Sequence, residues 1–179
     1  MPNYRRLWSK GASYFFTVNL ADRRGQLLVE HVELLREALR QTRAERPFAV
    51  DAMVVLPDHL HAVWTLPTRD ADFSTRWGAI KARFSREVRR AGFSPPIPRF
   101  NTRGGVNPAL RKGQVGIWQE RFWEHFIRDE ADYRAHVEYC WINPVKHGYV
   151  RRAADWPYSS IHRDMRLGRV GSEWSGRFT

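Results

Sequence analysis

The sequence predicts an α+β domain of the ferredoxin-like (RRM-like) class: an antiparallel sheet built in the order β-α-β-β-α-β, followed by a third long helix. Three observations predict it. Short runs rich in aromatic and β-branched residues alternate with stretches whose apolar residues recur at helical spacing. Two of those runs meet at Pro57-Asp58, the kind of tight turn that joins antiparallel neighbours. Finally, 179 residues that are 42% hydrophobic, with eight Trp, ten Phe and six Tyr, suffice for one packed core.

Ser13 to Leu20 (Ser-Tyr-Phe-Phe-Thr-Val-Asn-Leu) reads as the first strand. A helix is expected from about Val32 to Ala44, with Leu34, Leu35, Ala38 and Leu39 as its apolar stripe and Pro47 beyond its end. Ala49 to Leu56 is the second strand, and the third begins at His59. In a second helix, about Phe73 to Arg90, Phe73, Trp77, Ile80, Phe84 and Val88 fall on one face. Asp72 suits its N-cap and Gly92 its terminator. Residues 93–116, broken by Pro95, Pro96, Pro98, Gly104, Gly105, Pro108, Gly113 and Gly116, read as a basic loop, either functional or a tolerated insertion. Ile117 to Arg128 is an aromatic-rich strand candidate. Asp129 to about Trp141 is a third helix with acids in its first turn. The domain is expected to span 1–165, with 166–179 as a tail.

Within this frame, His59-Leu60-His61 is the most informative motif. Side chains alternate along a strand, so the two imidazoles share one face while Leu60, Ala62, Trp64 and Leu66 share the other. Two imidazoles so placed can hold one metal ion. On the third helix, Tyr133, Val137, Cys140 and Trp141 cluster into an apolar stripe. Tyr139 and Asn143, one turn apart, lie off it, so Tyr139 faces something polar and Tyr133 is the core tyrosine. If the helix crosses the open sheet face, Asn143 brings an amide oxygen to the two histidines. The alternative for Asn143 is a capping role, because Pro144 disfavours helix at the residue before it. His125, His136, His147 and His162 read as surface or packing residues.

The net charge of +11 points to a polyanion. Residues 81–112 concentrate it, with nine Lys and Arg against the single acid Glu87. A single cysteine, Cys140, excludes an internal disulfide and a cysteine-rich zinc site. No secretory leader and no membrane-spanning stretch is visible, so a cytoplasmic, nucleoid-associated protein is expected.

Four stretches then carry a family resemblance: Phe15-Phe16-Thr17-Val18-Asn19-Leu20, Val54-Val55-Leu56-Pro57-Asp58-His59-Leu60-His61-Ala62-Val63-Trp64, Trp118-Gln119-Glu120-Arg121-Phe122-Trp123-Glu124-His125, and Tyr139-Cys140-Trp141-Ile142-Asn143-Pro144-Val145-Lys146-His147-Gly148. Across residues 4–165 the chain resembles the single-tyrosine HUH transposases, and more narrowly those associated with repetitive extragenic palindromes in bacteria. The resemblance implies a metal-dependent endonuclease and strand transferase acting on single-stranded DNA. It implies His59 and His61 as ligands of Mg2+ or Mn2+, and Tyr139 as the nucleophile that forms a 5′-phosphotyrosine. Asn143 stands where related insertion-sequence enzymes place a glutamine ligand. The implied target is a DNA hairpin with a flanking single strand. Arg5, Arg6, Lys81, Arg83, Arg86, Arg90, Arg103 and Lys112 are the candidate DNA contacts. Monomer and homodimer both remain open, and the alternative function is a catalytically idle hairpin-binding module. A histidine-triad phosphohydrolase would need a further histidine where the chain has Val63.

Overall fold

The computed structural model describes residues 8–93 and 116–176. Its elements run β1 (Ser13–Asn19), α1 (Leu27–Glu30), α2 (Val32–Glu45), β2 (Ala49–Val55), β3 (His59–Thr65), α3 (Phe73–Arg90), β4 (Trp123–Phe126), α4 (Glu130–Lys146), a 3-10 turn (Ala153–Asp155) and α5 (Ile161–Arg166). The strands form one sheet in the order β2-β3-β1-β4, with every neighbouring pair antiparallel. This is the expected α+β arrangement, with the ferredoxin-like strand order.

Strand alternation sorts the core into two layers. Tyr14, Phe16 and Val18 of β1 join Leu60, Ala62 and Trp64 of β3 beneath α2 and α3. There the apolar face of α3 supplies Phe73, Trp77, Ile80, Phe84 and Val88, as its spacing predicts. Trp64 and Trp77 stack at 4.1 Å, a contact worth about 0.5–1.5 kcal/mol beyond burial. Phe15, Ala52, Val54 and Val63 face the other way and meet Val137, Cys140 and Trp141 of α4. Thus α4 covers the sheet face that carries the histidines.

Local capping follows the sequence. The Asp72 carboxylate accepts from the Thr75 amide at 2.9 Å, and Gly92 ends α3 at φ +93, where a side chain is strained. The Asp129 carboxylate caps α4 through the Asp132 amide at 2.8 Å.

Three expectations change. Strand β4 is only four residues long rather than the expected run from 117 to 128. Upstream of it the segment keeps one isolated antiparallel bridge, Trp118 with Leu20, while Trp118 and Phe122 pack against Phe84 and Trp77 of α3. Helix α4 continues beyond Trp141 through Pro144 to Lys146. Proline removes one intrahelical donor, but burial of the apolar Ile142 and Pro144 offsets that loss. Residues after 165, expected as a tail, return to α4 where Trp174 packs edge-on against Trp141 at 5.4 Å. The basic loop lies almost wholly outside the described residues.

Candidate active site

Pairing of β1 with β3 sets Thr17 opposite His61 and Asn19 opposite His59. The two imidazoles lie 5.0 Å apart between ring centroids, and each is only 4% exposed. Each is held through its Nδ1. The His59 Nδ1–H donates to the Asp58 carboxylate at 2.6 Å, and the Asp58 carboxylate also accepts from Arg23 Nε at 2.6 Å. His61 Nδ1 lies 2.9 Å from the Thr17 hydroxyl. With Nδ1 so engaged, Nε2 of each ring is left to face a ligand, and the Asp58–His59 pair has the carboxylate–histidine form that orients metal-binding imidazoles.

Electrostatics keep both rings uncharged. Burial lowers the affinity of His59 for a proton, despite Asp58. Burial, with His59 and His147 nearby, pushes His61 down to about 3. Neutral imidazoles present the lone pairs that a metal requires. Burial opposes ionisation of Asp58, but hydrogen bonds from His59 and Arg23 outweigh it and hold the carboxyl below its usual range.

Helix α4 brings Tyr139 to this pair. Its ring stands 5.2 Å from that of His61 and 5.6 Å from that of Phe15. One turn further on, Asn143 is 1% exposed, and neither its Oδ1 nor its Nδ2 has a hydrogen-bond partner among the described residues. An unpaired buried polar group costs about 1–3 kcal/mol. The side chain therefore does not cap the helix, which passes straight through it. Two imidazole nitrogens and an amide oxygen are donor types that suit a divalent ion.

Sequence reasoning missed two neighbours of this centre. His147 lies 5.2 Å from His59, and Lys146 places its ammonium 4.7 Å above the Tyr139 ring. The signal was present, since positions 139, 143, 146 and 147 share a helix face, but it was masked by the expectation that the helix stops at Trp141.

Tyr133 faces elsewhere. It is pushed up to about 12 by burial and by the charge of Asp51, and lines a pocket with Asp51, Arg163 and Asp164. His125, Asp132 and His136 form a second cluster, with donor atoms within 4.8 Å of one another, close enough to hold a divalent ion. The His125 and His136 rings stack at 4.5 Å and 20°, so an ion in the plane of one lies outside the plane of the other until a ring turns. Burial of Asp132 opposes its ionisation, but hydrogen bonds from His125 and Arg128 hold its carboxyl far below the usual range.

The basic residues of α3 are not brought to the histidines, because α3 packs on the opposite layer. Lys81 donates to the Gln119 carbonyl at 2.9 Å. Arg83 donates to both Glu45 carboxylate oxygens and to the Thr42 hydroxyl, while Arg86 and Arg90 pair with Glu87. Arg5, Arg6, Arg103 and Lys112 lie outside the described residues. Among the described residues no helix is long and apolar enough to cross a membrane.

No family model matches the chain. It is 44% identical to the REP-associated tyrosine transposase of Escherichia coli over 179 residues, covering 100% of this chain and 94% of that protein. It is 40% identical over 176 residues to a Haemophilus influenzae protein provisionally named REP-associated tyrosine transposase, covering 98% of this chain and 94% of the relative. Among solved structures it resembles a REP-associated tyrosine transposase bound to a REP hairpin, with a TM-score of 0.83, 44% identity and coverage of 100% and 94%.

Proposed function

The chain belongs to the REP-associated tyrosine transposases, and from that premise we propose that it nicks and rejoins single-stranded DNA beside a hairpin through a 5′-phosphotyrosine on Tyr139. The observation that carries this reading is the approach of Tyr139 to the neutral histidine pair, with the unpartnered Asn143 amide one turn away. His59, His61 and Asn143 would hold a divalent ion, Mg2+ or Mn2+. Such an ion offsets charge on the scissile phosphate and orients phosphorus for in-line displacement.

The chain's own groups do the rest. The Tyr139 hydroxyl attacks phosphorus and gives up its proton, a new P–O bond forms, and the bond to the 3′ oxygen breaks. The 3′ oxygen leaves and takes up a proton. Lys146, above the Tyr139 ring, favours negative charge developing on the phenol oxygen. Asp58 and Thr17 hold the imidazoles in register. In the reverse step a 3′ hydroxyl attacks the phosphotyrosine, so one ester replaces another and rejoining needs no external energy source.

Hairpin recognition comes to this chain from its relative's complex and from the charge of +11. Arg5, Arg6, Lys81, Arg86, Arg90, Arg103 and Lys112 remain the proposed phosphate and base contacts, while Arg83 is tied to Glu45 and Thr42. A protein of this activity works on the chromosome, in the cytoplasm and with the nucleoid. The test is incubation of the protein with a labelled hairpin carrying a flanking single strand, with manganese or with a chelator, followed by a denaturing gel. A covalent adduct with manganese and none with chelator is expected. Binding without any adduct would leave only a hairpin-binding module.

A further inference from the structure

Next to the histidine pair, on the same sheet face, lies a feature the catalytic reading does not use. Trp123 pairs with Thr17 across β4 and β1, and Thr17 pairs with His61 across β1 and β3. The three form one cross-strand row, which sets Trp123 two strand spacings, about 10 Å, from His61. Phe15 fills the space between, with its ring 5.8 Å from Trp123, 5.4 Å from His61 and 5.6 Å from Tyr139.

Trp123 is also the outer end of a stacked column. Its indole lies 6.0 Å from the His125 ring at 14°, and His125 lies 4.5 Å from His136 at 20°. Asp132 fixes that column through His125 Nε2 at 2.9 Å and through the His136 Nδ1 contact at 3.1 Å. A wide aromatic ring is thus backed by two stacked imidazoles, yet it remains 49% exposed. Keeping an indole half in water beside a phosphate-handling centre costs hydrophobic free energy that a stacked base would recover. Two residues before it, Arg121 is exposed and forms no ion pair among the described residues.

We infer that Trp123, backed by His125 and His136, is a stacking subsite for one unpaired nucleobase of the single strand that flanks the hairpin, with Arg121 meeting its backbone phosphate. The inference rests on the proposed DNA-nicking reading and names where the strand leaves the Tyr139 centre. These features favour single-stranded DNA as the occupant: the relative's complex holds a hairpin, the chain is strongly basic, and a flat π-face with an adjacent guanidinium matches a nucleotide.

The test uses the full chain and two probes at one fixed salt concentration, a hairpin with the flanking strand and the same hairpin without it. Trp123→Ala weakens binding of the tailed hairpin about tenfold and leaves the blunt hairpin unchanged. Trp123→Phe recovers part of the loss. Trp8→Ala serves as control, because Trp8 is equally exposed but stacks on Phe73 in the opposite layer. A 2-aminopurine stepped along the flank is quenched at one position by the wild-type protein and not by Trp123→Ala. Equal affinity of Trp123→Ala and wild type for the tailed hairpin, or an equal loss with both probes, overturns the inference. The wild-type adduct assay is separate: an adduct formed with Trp123→Ala binding as wild type sinks the subsite alone, whereas no adduct from wild type sinks the catalytic reading.

Discussion

The ring of Tyr139 stands edge-on to that of His61 at 76°, 5.2 Å between centroids, although one belongs to the covering helix and the other to a central strand. This juxtaposition exists because α4 packs against β2 and β3 through Val137, Cys140 and Trp141, which sets the phase of the whole helix. The apolar stripe fixes where the tyrosine points.

His59→Ala and His61→Ala should each abolish cleavage while hairpin binding survives, measured by gel assay and by titration. Unchanged cleavage by either variant at saturating metal contradicts the metal site.

Asn143→Ala should raise the metal concentration needed for activity without harming the fold, because the amide it removes has no partner to lose. The readout is thermal: added manganese should raise the Tm of wild type and raise that of the variant much less. Equal metal-induced shifts would remove Asn143 from the ligand set.

Asp58→Ala should weaken metal binding by about 10–100-fold, since the His59 ring loses the group that orients it. Calorimetric titration with manganese measures this directly, and an unaltered Kd would assign Asp58 to the β2–β3 turn alone.

The arginines of α3 should separate by role. Arg83→Ala breaks the links to Glu45 and Thr42 between α3 and α2 and should lower Tm by about 2–4 °C, the shift expected for about 1 kcal/mol. Neutralising Arg86 and Arg90 should instead flatten the dependence of log K on log salt by roughly 0.7 per lost single-strand contact. A slope that does not change places the DNA away from α3.

Much of this arrangement was legible in the sequence. The i, i+2 spacing of His59 and His61 put both on one face, and helical phase separated Tyr139 from Tyr133. What local rules obscured was Asn143-Pro144. The preference of a pre-proline residue for extended backbone is a weak local term, and burial of the apolar Ile142 and Pro144 around it overrode it. Ending the helix early hid Lys146 and His147. The ion pair of Arg83 with Glu45 was equally hidden, because its partner comes from a distant segment and only the packed α2–α3 interface brings them together. Charge density in a helix therefore overstated how many of its arginines are free for DNA.

Everything in the proposed chemistry turns on Tyr139 attacking phosphorus. Tyr139→Phe should fold, bind the hairpin and form no adduct, and Tyr133→Phe should retain cleavage because its phenol faces Asp51 rather than the histidines. Mass spectrometry of the trapped wild-type adduct is the most direct measurement. One nucleotide-bearing peptide with the modification on Tyr139 is expected; a modified peptide that contains Tyr133, Tyr149 or Tyr158 and excludes Tyr139 would overturn the assignment.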